Sequence, residues 1–144
     1  MLTIQHAKDA DLESLSKLYE ELIGERTNLD KMNQNFRLME SNPNYIVLTA
    51  KDDNSVIGSV MGIICLDLVG ECKSFMVIEN VVVKSAWRGR GIGAKLMEEI
   101  EEIGRERNCY YTMFVSGSHR KEAHQFYKAI GYDLDLVQGC KKYL

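Results

Sequence analysis

The sequence predicts an α+β fold in which one central sheet, mixed but mostly antiparallel and of about six to seven strands, is flanked by about four helices. Three observations carry that prediction. A 45% hydrophobic content over 144 residues is enough for one sizeable core. Residues 45 to 83 read as successive strands, the mark of antiparallel hairpins. From Phe75 onward the order becomes strand, glycine-rich turn, helix and strand, which makes a parallel right-handed βαβ unit. A single domain, residues 1 to 144, is expected, because no Gly/Ser-rich or proline-rich stretch offers a linker.

Each element follows from local pattern. Thr3 to Ala7 alternates like a short strand, and Asp9 and Asp11 set negative charge at a helix start. Leu12, Leu15, Leu18, Tyr19, Leu22 and Ile23 then fall at helical spacing. Leu29, Met32, Phe36 and Met39 mark a second helix that should stop before Asn42-Pro43-Asn44. Tyr45 to Lys51 and Val56 to Leu68, joined at Asp52-Asp53-Asn54, read as a hairpin in which Gly58 and Gly62 suggest a bulge or a close backbone approach. Phe75 to Val83 is apolar on both faces, as a central strand should be.

After the glycine turn, Ile92, Leu96, Met97, Ile100 and Ile103 give a helix whose solvated face carries Glu98, Glu99, Glu101 and Glu102. Tyr110 to Val115 is the next strand. A last helix runs from about His119 to Ala129 and ends at Gly131, and Tyr132 to Val137 and Lys141 to Leu144 read as short closing strands.

Charge and cysteine content bound the function. A net charge of −3 counts against a general nucleic-acid binder, and no apolar run approaches the length of a membrane span, so neither nucleic acid nor membrane is an expected partner. Residues up to Val83 carry about 7 Lys/Arg against about 13 Asp/Glu, and the remainder about 11 against about 8. The second half is therefore where a polyanionic ligand belongs. Cys65, Cys72, Cys109 and Cys140 have neither CxxC nor zinc-finger spacing, which predicts reduced thiols in a cytoplasmic protein and no metal site.

Arg88-Gly89-Arg90-Gly91-Ile92-Gly93 runs from a strand directly into a helix, an arrangement suited to phosphate. The helix start presents unpaired amides and partial positive charge, glycines allow close approach, and two arginines add full charge. A Walker A loop is excluded, since no GxxxxGK[ST] occurs. Gly89-x-Gly91-x-x-Ala94 fits the dinucleotide fingerprint, but it follows three predicted strands instead of opening the fold, and the strand after it lacks the acidic residue for a ribose.

Three segments together carry a resemblance. Ile78 to Val83, Arg88-x-x-Gly91-x-Gly93, and Phe126-Tyr127-x-x-x-Gly131-Tyr132 are similar, in kind, order and separation, to the signatures of the GNAT superfamily of acetyl-CoA-dependent N-acetyltransferases. The resemblance implies a GNAT-like three-layer fold in which the parallel strands splay apart beyond a bulge. It also implies acetyl-CoA as cosubstrate, its pyrophosphate on the amides of Arg88, Gly89, Arg90, Gly91, Ile92, Gly93 and Ala94. The pantetheine arm would lie along the backbone of Val81, Val82 and Val83 like an added strand. Arg120 stands where many members have asparagine. His119-Arg120 to Ala123-His124 is similar to a subgroup that includes aminoalkylphosphonate acetyltransferases.

An alkylamine with a pKa near 10 is almost fully protonated at pH 7, so transfer to it requires a base. Glu79 is the candidate, because a carboxylate inside an apolar strand should be partly desolvated and its pKa raised. The departing thiolate needs a proton, and the resemblance gives that role to Tyr127, which periodicity alone makes a core aromatic. His6, His119 and His124 belong to no recognisable triad. The expected acceptor is a small-molecule amine: Glu20, Glu21 and Glu25 favour a cation and Arg120 an anion-bearing one. A homodimer is left open, and the alternative to an enzyme is a non-catalytic acyl-CoA-binding regulatory module.

Overall fold

The computed structural model describes residues 1–144, which divide into two compact units, Met1–Met113 and Phe114–Leu144. The first unit contains β1 (Leu2–His6), α1 (Leu12–Ile23), α2 (Leu29–Glu40), β2 (Tyr45–Asp52), β3 (Ser55–Cys65), β4 (Phe75–Val83), α3 (Ile92–Glu106) and β5 (Thr112–Met113). Its five strands form one sheet in the order β1-β2-β3-β4-β5. All pairings are antiparallel except β4 with β5. The mixed sheet with a parallel pair is as predicted, and the strand count is lower than the six to seven expected.

Local chemistry sets the element ends. Gly24 adopts φ +76° at the end of α1 and donates its N–H to Glu20, the left-handed stop that glycine accepts most readily. The Asn28 side chain caps α2 by accepting from the Lys31 N–H at 3.1 Å. Asp53 takes φ 52° to turn β2 into β3.

The sheet of the first unit is covered on both faces. On one, Leu12, Leu15 and Leu18 of α1 and Phe36 of α2 pack with Val56 and Val82. The same face carries an ion pair between Asp11 and Lys51 at 2.6 Å, with side chains 7% and 11% exposed. On the other, α3 lies so close to β3 that a Cβ on Gly58 would meet Leu96 Cδ1 at 3.1 Å. One on Gly62 would meet Ile100 Cγ1 at 2.9 Å. Both glycines thus mark a close approach of helix to sheet.

The second unit is built on α4 (Lys121–Ala129) and an aromatic cluster. Gly131, at φ +99°, donates to the Lys128 carbonyl, and Tyr132 N–H reaches back to the Tyr127 carbonyl at 3.0 Å. This pair of bonds is a Schellman stop, and it returns Tyr132 to the face that carries Tyr127. Phe114 packs against both rings, with centroids 4.3 Å from Tyr127 and 4.7 Å from Tyr132. The spacing Phe126-Tyr127-x-x-x-Gly131-Tyr132 is therefore a helix terminator that closes an aromatic cluster.

The closing strands expected at Tyr132 to Val137 and Lys141 to Leu144 do not form. Asp133 Oδ1 accepts from the Asp135 N–H at 2.9 Å, a local turn that withdraws a backbone donor from any ladder. Leu136, Val137 and Tyr143 are left exposed. The strand predicted at Tyr110 to Val115 shrinks to Thr112–Met113.

The Asp11–Lys51 pair gives a test of the first unit. Removing one partner strands a buried charge, so Asp11→Ala should cost about 3–5 kcal/mol of unfolding free energy, measured by denaturant titration. Adding Lys51→Met to that variant should recover most of the loss.

Candidate active site

β4 is interrupted where the site begins. Met61 pairs with Glu79 and Ser59 with Val82, so Asn80 and Val81 together oppose Val60. Two residues against one is a β-bulge. Asn80 takes φ 56°, a conformation that asparagine tolerates better than most residues. Pairing to β5 covers only Met76 and Val77, so no strand of the sheet continues along that side of β4 beyond Val77.

The ladder fixes which groups face this free edge. Lys84 N–H donates to the Ile57 carbonyl at 2.8 Å, so by the two-residue period Val82 directs its backbone groups at β3, and Val81 and Val83 direct theirs outward. This corrects the expectation for Val82, whose backbone belongs to the ladder and whose side chain is in the core. Glu79 also departs from expectation. It is exposed, in regular register with Met61 on the face of β4 that it shares with the half-buried Phe75 and Val77.

The glycine turn carries three further features. Gly89 and Gly91 adopt φ +76° and +78° with Arg90 at negative φ between them, an alternation that gathers successive amides toward one side. Gly91 caps α3 without a side-chain hydrogen bond, and the first helical bond is donated by Lys95, at 3.1 Å to Gly91. The amides of Ile92, Gly93 and Ala94 thus have no acceptor in the helix. A Cβ on Gly89 or Gly91 would meet nothing within 4 Å, so the space over the turn is open.

Charge concentrates at this turn. Residues 84 to 95 include Lys84, Arg88, Arg90 and Lys95 and no acid. Arg88 Nε donates to the Val83 carbonyl at 3.0 Å, joining turn to strand end, and the Arg90 guanidinium stacks 4.7 Å from the Trp87 ring. Ile92 is buried beneath α3, while Gly93 and Ala94 are half-buried. A short, positively charged, amide-lined concavity beside an open strand edge is suited to a ligand carrying phosphates and amides.

In the second unit, Tyr127 is buried, and burial raises its phenol pKa above the usual 10, with Arg120 opposing that shift. Ser116 Oγ is buried without a hydrogen-bond partner. Arg120 and His119 stand at the start of α4.

The model of a known family, described as "Acetyltransferase (GNAT) family", matches residues 10–132. The chain belongs to that family. Aminoalkylphosphonate N-acetyltransferase of Salmonella typhimurium is a similar GNAT relative, 26% identical over 134 residues, 90% of this chain and 83% of that one. Thialysine N-epsilon-acetyltransferase of Bos taurus is 32% identical over 63 residues, and that match spans 43% of this chain and only 37% of the relative. Among solved GNAT-fold structures, a putative acetyltransferase from Agrobacterium tumefaciens str. C58 superposes with a TM-score of 0.90 at 24% identity, covering 98% of this chain and 99% of that one. Aminoglycoside N-acetyltransferase AAC(6')-Iy, solved in complex with CoA, superposes with a TM-score of 0.83 at 18% identity, covering 100% and 96%. Likeness at these identities describes the fold.

For this GNAT chain, the first unit brings together Glu79, Val81, Val83 and the turn from Arg88 to Ala94, and the second unit carries Tyr127. Sequence reading passed over Asn80 and gave Glu21 another part. Asn80 makes the bulge, and its signal was an asparagine inside an apolar strand. Glu21 accepts from the Ser85 N–H at 3.0 Å and so holds the segment between β4 and the glycine turn, which corrects its reading as an acid waiting for a cationic acceptor.

Tyr127 generates a prediction. Because its folded pKa is raised, the stability tied to it is intact below about pH 10 and is lost as pH rises through the folded value. Tyr127→Phe should therefore reduce the alkaline fall in unfolding free energy above about pH 10, measured by chemical denaturation, leaving the share that comes from the likewise buried Tyr19.

Proposed function

We propose that this chain is an acetyl-CoA:amine N-acetyltransferase. The observation that carries the proposal is the uncapped Gly89-Arg90-Gly91 turn set beside the open, bulged edge of β4. The fit is chemical. A pyrophosphate matches unpaired amides from Gly89 to Ala94, with Arg88 and Arg90 at the rim. A pantetheine amide matches the outward groups of Val81 and Val83. Names of similar proteins support an amine acceptor: thialysine in one, an aminoalkylphosphonate in another. A small amine in the cytoplasm is the reading adopted.

In the proposed reaction the amine nitrogen, once it has lost one proton, attacks the thioester carbonyl, the C–S bond breaks, the newly acylated nitrogen releases its second proton to solvent, and the leaving sulfur acquires a proton. Glu79 takes the proton that the ammonium must lose; being exposed, it can pass that proton directly to solvent. The Val81 N–H, directed outward at the bulge, donates to the developing oxyanion. Tyr127 donates to sulfur. Full proton transfer from a phenol of pKa about 10 to a thiolate near 8.5 is uphill by about 2 kcal/mol, and burial adds to that difference. Tyr127 therefore acts by hydrogen-bonding the sulfur as the bond breaks, and solvent completes protonation.

Three variants test the assignment. Gly91→Asp puts a side chain and a negative charge over the turn in a left-handed conformation, and calorimetry should find CoA affinity reduced at least about tenfold. Unchanged affinity would show that the turn has been misassigned. Tyr127→Phe should leave CoA affinity near the parent value and lower turnover at least about tenfold, a loss tempered below the roughly 10² to 10⁴-fold typical of general acid catalysis because a thiolate is already a fair leaving group. Glu79→Gln should lower the rate at neutral pH with little effect on acetyl-CoA binding, and equal rates across about pH 6 to 9 would remove Glu79 from the mechanism.

A further inference from the structure

One edge of the sheet is unguarded. In β1, Ala7 N–H bonds to the Val47 carbonyl and the Met1 carbonyl accepts from Asp53. By the two-residue period, odd-numbered residues face β2, and Leu2, Ile4 and His6 turn their N–H and C=O groups outward. The pairing with β2 runs unbroken from Leu2 to His6. No lysine, proline or bulge lies in that span, although these are the devices that usually keep an edge from pairing. Beside it lies a trough of about 320 Å³ lined by Leu2 and Ile4 of β1 and by Lys95, Glu98 and Glu99 of α3. The acidic face of α3 has no part in the proposed chemistry.

We propose that a second copy of this chain pairs here, β1 against β1 in antiparallel register about a twofold axis through Ile4. The strand is self-complementary in this register alone over its full length: Leu2 meets His6, Thr3 meets Gln5, and Ile4 meets Ile4. The outward groups of Leu2, Ile4 and His6 then exchange about six hydrogen bonds between the copies. Ile4 is half-buried on the face covered by α3 and gains an apolar neighbour in its own counterpart. The same axis sets the two α3 helices antiparallel, so Lys95 of one copy faces the Glu98 and Glu99 end of the other. A basic peptide would complement Glu98 and Glu99 but not Lys95; a twofold copy complements both.

The register makes the test specific, because Thr3 and Gln5 become directly opposed across the seam. Light scattering on the parent chain, over about a hundredfold range of concentration, should give a species of twice the 16.4 kDa chain mass at the upper end. Thr3→Lys with Gln5→Lys sets like charges in opposition and should give the single-chain mass with an unchanged circular dichroism spectrum. Thr3→Lys with Gln5→Glu sets opposite charges together and should tighten the dimer roughly twofold to tenfold over the parent, an advantage lost at high salt. A monomeric parent overturns the proposal, as does a doubly lysine-substituted chain that stays dimeric. If that variant fails to fold, the Lys/Glu variant decides: no tightening overturns the β1 register. Thr3 and Gln5 lie outside the residues given to acetyl transfer, so these outcomes are independent of that reading.

Discussion

The two-against-one pairing at Asn80-Val81 governs the first unit. Before it, β4 is an ordinary interior strand, bonded to β3 on one side and to β5 on the other. After it, the backbone phase is advanced by one residue, Val82 enters the core with Val56 and the α1 leucines, and Val81 and Val83 present peptide groups to an edge with no strand on it. A regular strand could not do both. Without the extra residue, either the apolar side chains or the peptide groups would point the wrong way.

The glycine turn depends on that phase. Lys84 is bonded to Ile57, Ser85 to Glu21, and Arg88 to the carbonyl of Val83. Each bond fixes a point between strand end and helix start, so the turn is held by β3, α1 and β4 together. The left-handed glycines then leave α3 to begin with its amides unpaired, a cost that an anion would offset if bound there as proposed.

Much of this was legible in the sequence. The order of elements, the helical faces and the phosphate-type turn come from periodicity and glycine placement, which are local properties. Gly58 and Gly62 were legible as a close approach, though not which helix made it. What failed was what a partner or a phase shift decides. Tyr132 to Val137 reads as a short strand, yet the Asp133–Asp135 turn claims the backbone first. Glu79 lies in an apolar run, yet its face of β4 is only half covered and leaves it exposed. Glu21 reads as a free acid on a helix face, and only the fold brings Ser85, 64 residues away, to it.

α3 opens with its charges against its own dipole. Lys95 sits in the first turn with Arg88 and Arg90 just ahead and no acid beside them, whereas a helix in isolation favours acids there; Arg105 in the last turn does follow the favourable order. The order that attracts an anion is thus one that weakens the helix, and burial of Leu96, Met97 and Ile100 against the sheet has to hold it. Salt separates the two effects. Added electrolyte screens the attraction at the turn and also relieves the unfavourable order along the helix, so ligand affinity and the stability of α3 move in opposite directions as ionic strength rises.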